Sequence, residues 1–169
     1  RYVPAIHSHA ELLGIECTLS NGLPLVFCSA GKAAVGILDW IEEGYPSAKL
    51  AEMLRHDVMM FQDERWSQGK WVRLIEKSGI GWGKERYLHM LQPERLSEED
   101  REQSAMLLCH VEKWFANLPD GNEWNPIRLL EWVSTFVTDH AVVRSQDDGF
   151  VRAALQALAA QHAARPSDL

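Results

Sequence analysis

The sequence predicts a mainly α-helical domain of about eight helices, with a small αβ segment of one or two short strands at its N-terminus. Three observations predict this fold class. Apolar residues recur at helical spacing through most of the chain, capping residues and glycines separate the periodic segments, and residues 15–19 alternate between apolar and polar side chains. With 169 residues, of which 46% are hydrophobic and 24% charged, the chain has the size and composition of one globular domain.

The first 27 residues predict the small αβ segment. Residues 4–13 have helical spacing, and the alternation in residues 15–19 is typical of a short, half-buried strand. Residues 20–22 predict a turn, because Asn-Gly tolerates a positive φ. Residues 23–27 are predicted to be extended, and Pro24 places them at a sheet edge or outside a ladder.

The rest of the chain predicts seven helices in a row. Ser29, Ser47 and Ser97 are predicted N-caps, and Asn125 is an N-cap with Pro126 at the first helical position. Six of the predicted spans are 29–43, 47–56, 63–78, 97–118, 126–140 and 147–163. The seventh is a short helix that follows the glycine-rich loop at 79–83 and ends at residue 91. The expected division is 1–27 for the αβ segment, 28–163 for the helical domain and 164–169 for a disordered tail.

Four of these helices have an apolar face that we expect to point into the core. The apolar residues 58–61 fit either a strand or a helix, since the run is too short to decide. The predicted core residues are Val35, Leu38 and Ile41, then Leu50, Met53 and Leu54, then Trp71, Leu74 and Ile75, and finally Leu129, Trp132, Val133 and Phe136.

Net charge and cysteine usage narrow the class of protein. The formal charge is −7, which disfavours a domain that binds nucleic acid with its whole surface but leaves room for a local basic patch. The three cysteines, Cys17, Cys28 and Cys109, are an odd number among apolar neighbours, so we expect buried free thiols in a reducing, cytoplasmic compartment. No apolar run approaches 18 residues and no signal peptide is evident, so we expect no membrane contact.

Short motifs that suggest catalysis or metal binding have simpler interpretations. Residues 30–32 (Ala-Gly-Lys) are similar to the end of a phosphate loop, but Val26 and Ala33 stand where that loop needs a glycine and a hydroxyl. The acidic residues 98–100 stand at a predicted helix start, where they complement the helix dipole. A helix start is therefore the favoured interpretation in both places.

Histidine and cysteine spacing also argues against a reactive site. His7 and His9 are two residues apart with no third ligand nearby, whereas zinc needs three or four ligands in one place. Cys109 and His110 are adjacent on a predicted helix, so their side chains point about 100° apart and form no nucleophile–base pair. We expect no metal, no cofactor and no catalytic residue in this chain.

The unusual feature is an uneven distribution of charge. Residues 65–86 hold six basic and two acidic residues, which gives +4; since the whole chain carries −7, the remainder carries −11. At about 100° per residue, Lys70, Arg73 and Lys77 fall within about 60° of each other, and Trp66 lies on the same side. A solvated helix face, a nucleic-acid phosphate contact and a protein contact all fit this pattern.

The order of motifs resembles a known superfamily. Residues 11–15 (ELLGI), 21–25 (NGLPL) and 30–40 (AGKAAVGILDW) resemble the passage of UvrD-like superfamily 1 helicases from the second motor subdomain into its helical 2B insertion. Residues 71–80 (WVRLIEKSGI) and 83–88 (GKERYL) look like a pattern of AddB-like proteins. These are inactivated-helicase subunits of bacterial repair helicase-nucleases with a PD-(D/E)XK nuclease domain. Two later stretches resemble the helices that follow in that family, namely 114–119 (WFANLP) and 130–133 (LEWV).

The resemblance implies a non-catalytic accessory fragment of a DNA repair protein. Its partners would be the rest of the parent helicase-nuclease and double-stranded DNA, contacted through the phosphate by Lys70, Arg73, Lys77 and Lys84, with Trp66 beside them. The chain opens at Arg1 in the middle of a pattern, so we expect a piece of a longer protein.

The chain also departs from the family, and other functions stay open. Glu16 stands where the motor helicases usually have proline, and the chain has no Walker A, DExx-type or nuclease carboxylate–lysine motif. The family's ATP and nuclease residues therefore have no counterpart here. The alternatives are a self-standing helical protein–protein interaction domain and, third, a small enzyme. The subgroup, the DNA polarity, the partner subunit and the oligomeric state stay open.

Overall fold

The computed structural model describes residues 25–63, 65–118 and 125–163. This part of the chain is mainly helical, as the sequence predicts, with seven α-helices at the predicted places. They are α1 (Ser29–Glu42), α2 (Ser47–Arg55), α3 (Gln68–Ser78), α4 (Lys84–Met90), α5 (Arg101–Asn117), α6 (Pro126–His140) and α7 (Gln146–Ala163). Short 3-10 turns are Leu25–Phe27, Pro93–Arg95 and Glu98–Asp100. The predicted helix 4–13, strand 15–19 and tail 164–169 lie outside the described residues and stay predictions.

Some of the helices pack as pairs that are adjacent in sequence, and contacts between helices distant in sequence join these pairs. α6 and α7 pack side by side, and α1 lies against both of them. α2 and α3 form a second pair, while α5 contacts both α3 and α4. The aromatic side chains between these elements fill the centre of one continuous hydrophobic core.

Trp40 on α1 joins several helices within that core. Its indole is fully buried and its Nε1–H donates to the hydroxyl of Tyr87 on α4 at 3.1 Å. The ring of Phe115 on α5 stacks on it at 5.8 Å with an interplanar angle of 6°. One side chain thus joins α1, α4 and α5, and burial of rings of this size contributes strongly to stability.

The N-terminal boundaries differ from the prediction. Residues 23–27 were expected to be extended, but Leu25–Phe27 forms a 3-10 turn instead. The N-cap of α1 is Cys28, not Ser29, and its Sγ accepts a hydrogen bond from the Gly31 N–H at 3.3 Å. Pro46, not Ser47, precedes the first residue of α2. Each start differs from the prediction by a single residue, which is the usual variation of a helix end.

α3 begins five residues later than predicted, at Gln68 instead of Asp63. The Asp63 carboxylate accepts from the backbone N–H of Arg65 at 2.9 Å. Such an Asx turn competes with helix formation and delays the start of α3. The C-terminal end agrees with the prediction, because Gly79 terminates the helix in the left-handed conformation at φ 69°.

The buried face of α1 was predicted correctly at Ile41 and wrongly at Val35 and Leu38. Val35 is half-buried and Leu38 is 37% exposed, while four of the seven buried residues of the helix are alanine or glycine. The close approach of neighbouring helices favours alanine on the inner side. The buried residues of α1 are Ala30, Gly31, Ala33, Ala34, Ile37, Trp40 and Ile41.

The other predicted apolar faces are confirmed. In α2 and α3 all six predicted core residues are buried, and in α6 only Leu129 is half-buried. The ambiguous residues 58–61 are not helical. The Met60 N–H donates to the His140 carbonyl at 2.8 Å, and Met59 forms an isolated antiparallel bridge with Ala141. This short contact fixes the connection between α2 and α3 against the end of α6.

The two described cysteines differ in exposure. Cys28 is half-buried, but Cys109 is exposed, so the expectation of a buried thiol at that position is wrong. The buried stripe of α5 includes Leu108 and Val111, and Cys109 falls on the outer side of the helix. An apolar neighbourhood in sequence did not mean burial, since neighbours along a helix point about 100° apart. Cys17 lies outside the described residues.

Candidate nucleic-acid interface

The basic face of α3 points to solvent as predicted. Lys70, Arg73 and Lys77 are exposed on one side of the helix, and Trp71 and Leu74 are buried on the other. Within the described residues, neither Lys70 nor Arg73 forms an ion pair with a carboxylate, and Arg73 Nε only donates to the Gly69 carbonyl at 3.3 Å. Their full charge therefore faces solvent, where an anion can approach.

Lys77 is already paired. Its Nζ lies 2.5 Å from the Asp100 carboxylate and 3.4 Å from the Ser97 hydroxyl. The hydrogen bond from Lys77 lowers the pKa of the Asp100 carboxyl and raises the pKa of the Lys77 amine. A phosphate at this position would compete with Asp100, so Lys77 offers less to DNA than Lys70 or Arg73.

Lys84 is the first residue of α4, and its side chain lies beside two aromatic rings. Its Nζ is 5.5 Å from the ring centroid of Tyr45 and 5.6 Å from that of Phe115, which is within cation–π range. The side chain is half-buried. The structure thus holds Lys84 against the core, while Lys70 and Arg73 extend into solvent.

Trp66 does not lie on the basic side of α3, where helical spacing predicted it. Because α3 begins only at Gln68, Trp66 stands before the helix, half-buried, with its ring 5.3 Å from that of Trp71. The guanidinium of Arg65 covers the Trp66 ring at 4.4 Å and also pairs with Asp63 and Glu102. Trp66 is therefore part of the core edge and not an exposed neighbour of the basic face.

The exposed aromatic residue of this region is Trp82, in the glycine-rich loop between α3 and α4. Its side chain is 72% exposed and stands between Gly81 at φ 72° and Gly83 at φ 92°. Arg86 donates to the carbonyls of Gly79 and Ile80 in the same loop. The Gly-Trp-Gly pattern was the available signal, because glycines tolerate the positive φ of a tight loop and loops lie at the protein surface.

The N-terminus of α1 is occupied by a side chain of the same protein. The Asp148 carboxylate accepts from the Ala30 N–H at 2.8 Å and from the Arg144 and Ser145 N–H groups at 2.8 and 3.0 Å. Burial opposes its ionisation, but these hydrogen bonds outweigh burial and hold the pKa of Asp148 below its ordinary value. The position where a phosphate loop would bind an anion is thus already filled, and residues 30–32 form an ordinary helix start.

Two histidines line a cleft between α5 and α6 with a volume of about 660 Å³. His140 is buried, its Nε2 accepts from the Trp114 indole N–H at 3.2 Å, and burial lowers its pKa to about 4. His110 faces it at 5.5 Å between ring centroids, and burial also lowers its pKa. The walls carry charges of both signs, so the cleft does not favour a polyanion. The charged lining residues are Lys113, Arg128, Glu131 and Asp139.

The remaining candidate motifs show no reactive arrangement in the described residues. Cys109 points outward while His110 faces the cleft. No three histidine, cysteine or acidic side chains in the described ranges come together as a metal site. The acidic residues 98–100 form the 3-10 turn that leads into α5. His7 and His9 lie outside the part of the chain that the structure describes.

Comparison with known proteins adds no relative. No family model, no curated protein and no solved structure matches the chain. In the described ranges, every helix is too short or too polar to cross a lipid bilayer.

Proposed function

We propose that this chain is a non-catalytic accessory domain of a bacterial helicase-nuclease-type DNA repair protein, and that it contacts duplex DNA through the basic face of α3. One observation carries the DNA contact. Lys70 and Arg73 lie about 4.5 Å apart along the helix axis, both exposed, and neither is paired with a carboxylate among the described residues. Cations at such spacing can follow a phosphate backbone.

Several other basic side chains of the described region, though not all of them, are neutralised by near neighbours. Lys49 pairs with Asp39 and Glu43, Arg55 with Glu76, and Lys77 with Asp100. Lys70 and Arg73 have no such neighbour among the described residues, and they stand one helical turn apart on the exposed side of α3. The contact is weak, because the rest of the chain is strongly acidic, and it is independent of sequence, since phosphates carry no base identity.

The test is binding of a blunt duplex at low and at moderate salt. Lys70→Glu with Arg73→Glu should weaken binding strongly, and it avoids the disturbance of Asp100 that Lys77→Glu would cause. Two to four phosphate contacts predict a log–log salt slope between about −1.8 and −3.6. The matched control is Lys113→Glu with Arg128→Glu, which changes the net charge equally in the α5–α6 cleft. Equal weakening by both double variants would contradict a local contact on α3.

The outer face of α7 favours a contact with another protein surface. Phe150 is 64% and Leu158 46% exposed, and the alanines at 154 and 157 between them are exposed as well. This apolar face suits docking of the domain on the rest of a parent protein. It equally suits the second candidate function, a self-standing helical interaction domain. The coding sequence that flanks this chain decides between them, because only the first predicts a motor or nuclease domain in the same gene.

A further inference from the structure

We infer that Trp82 is a base-stacking residue, so that the DNA bound by this domain is a duplex with unpaired bases beside it. This inference rests on the proposed DNA contact of α3 and names its substrate more closely. Trp82 has the most exposed side chain among the large hydrophobic residues in the described ranges, at 72%. It follows α3 by four residues, in the loop that Gly79 opens.

The backbone around Trp82 is fixed on both sides. The carbonyl of Gly81 accepts from the Ser47 N–H at 2.8 Å, and the Gly83 N–H donates to the Gly44 carbonyl at 3.0 Å. Both bonds tie the loop to the turn between α1 and α2. The indole is thus presented on a held backbone and loses little conformational freedom when a partner binds it.

One exposed cationic side chain lies against the loop that carries the indole. Arg86 donates to the Gly79 and Ile80 carbonyls of this loop while remaining exposed. An exposed aromatic ring in a basic region is the combination that binds single-stranded nucleic acid, in which bases stack on the ring and cations contact the backbone. This charge favours a nucleic acid over an apolar pocket of a protein.

Phosphate contacts alone do not need an aromatic residue. In an intact duplex the base faces are already stacked on one another, so an indole outside the helix finds no free base face. At a duplex end or in a single-stranded tail a base face is available. The combination of unpaired cations on α3 with an exposed indole after it therefore fits a junction better than continuous duplex.

The experiment compares a blunt duplex with the same duplex carrying a single-stranded tail of about ten nucleotides, with tails of either polarity. Wild type should bind the tailed DNA more tightly. Trp82→Ala should weaken binding of the tailed DNA by roughly 5- to 100-fold, as is usual for loss of base–aromatic stacking, and weaken blunt-duplex binding much less, because a blunt duplex offers only its two terminal base faces. Trp82→Phe should lose less. Phe150→Ala, which removes an exposed ring from α7, is the matched control and should change neither.

The outcomes separate this inference from the proposed function. If Lys70→Glu with Arg73→Glu weakens binding of both DNAs while Trp82→Ala matches wild type, the duplex contact stands and stacking is overturned in favour of a protein contact. If wild type binds neither DNA, both are overturned. Because Trp82 is exposed, its alanine variant should unfold at the wild-type temperature. A lowered unfolding temperature with equal loss on both DNAs would also overturn stacking.

Discussion

Asp148 and Ala30 are 118 residues apart in sequence, yet the buried Asp148 carboxylate accepts a hydrogen bond from the Ala30 N–H at 2.8 Å. This bond joins the first turn of α7 to the first turn of α1. The same carboxylate accepts from two N–H groups just before α7, those of Arg144 and Ser145. One anion thus satisfies N–H groups at the starts of two helices, where the helix dipole also favours negative charge.

Asp148→Ala should destabilise the protein substantially. The Asp148 side chain is 1% exposed, and its removal leaves the buried Ala30 N–H without its acceptor. Charge-assisted hydrogen bonds of this kind are worth roughly 1.5–3 kcal/mol each, so we expect a loss of about 2–4 kcal/mol in the free energy of unfolding. Urea unfolding measures it. Asp148→Asn keeps one carbonyl acceptor and should lose less than alanine; an alanine variant as stable as wild type would contradict this role.

Purified protein should not hydrolyse ATP. The phosphate-loop pattern is incomplete at Val26 and Ala33, and the N-terminus of α1 already holds the Asp148 carboxylate. A nucleotide phosphate there would have to displace an internal anion. Phosphate release by wild type should equal that of Lys32→Ala, in which the exposed lysine of the partial motif is removed. Hydrolysis that depends on Lys32 would overturn this prediction.

The helices were predictable because their signals are local. Apolar periodicity together with capping residues and glycines predicted all seven α-helices of the described region, and Gly79 predicted the end of α3. The start of α3 was missed, because a side-chain-to-backbone bond at Asp63 replaced the first helical turn. That error also misplaced Trp66, whose position had been projected from a helix that does not include it.

The details of the candidate interface depend on contacts distant in sequence. The charge excess in residues 65–86 was visible in the sequence, but its partial neutralisation was not. Lys77 is paired with Asp100, 23 residues away, and Arg65 bonds to Glu102, 37 residues away. Periodicity fixes which side of a helix a residue occupies and carries no information about which loop later folds over it. Lys70 and Arg73 could therefore be separated from Lys77 only once the tertiary structure was known.

The buried His140 should make the protein less stable in acid. Its neutral ring accepts from the Trp114 indole N–H, and its Nδ1 lies 3.4 Å from the Met60 carbonyl. Burial, together with the nearby His110, lowers the pKa of His140 from 6.5 to about 4, although Asp139 acts in the opposite direction. In the unfolded chain the ring takes up a proton near pH 6.5, and in the folded protein only near pH 4. Protonation therefore favours the unfolded state.

Above pH 6.5 the neutral His140 makes its full contribution to the free energy of unfolding. That contribution is lost progressively as the pH falls from 6.5 toward 4. The pKa difference corresponds to roughly 3 kcal/mol at the acid end. Urea unfolding between pH 7 and pH 4 measures the loss, with His140→Gln as control, since glutamine can both accept and donate a hydrogen bond without titrating in this range. His110 and Asp148, whose pKa values are also lowered, remain in both proteins, so the difference between the two curves isolates His140. The variant should lose less stability on acidification than wild type, and parallel curves would show that His140 does not titrate with unfolding.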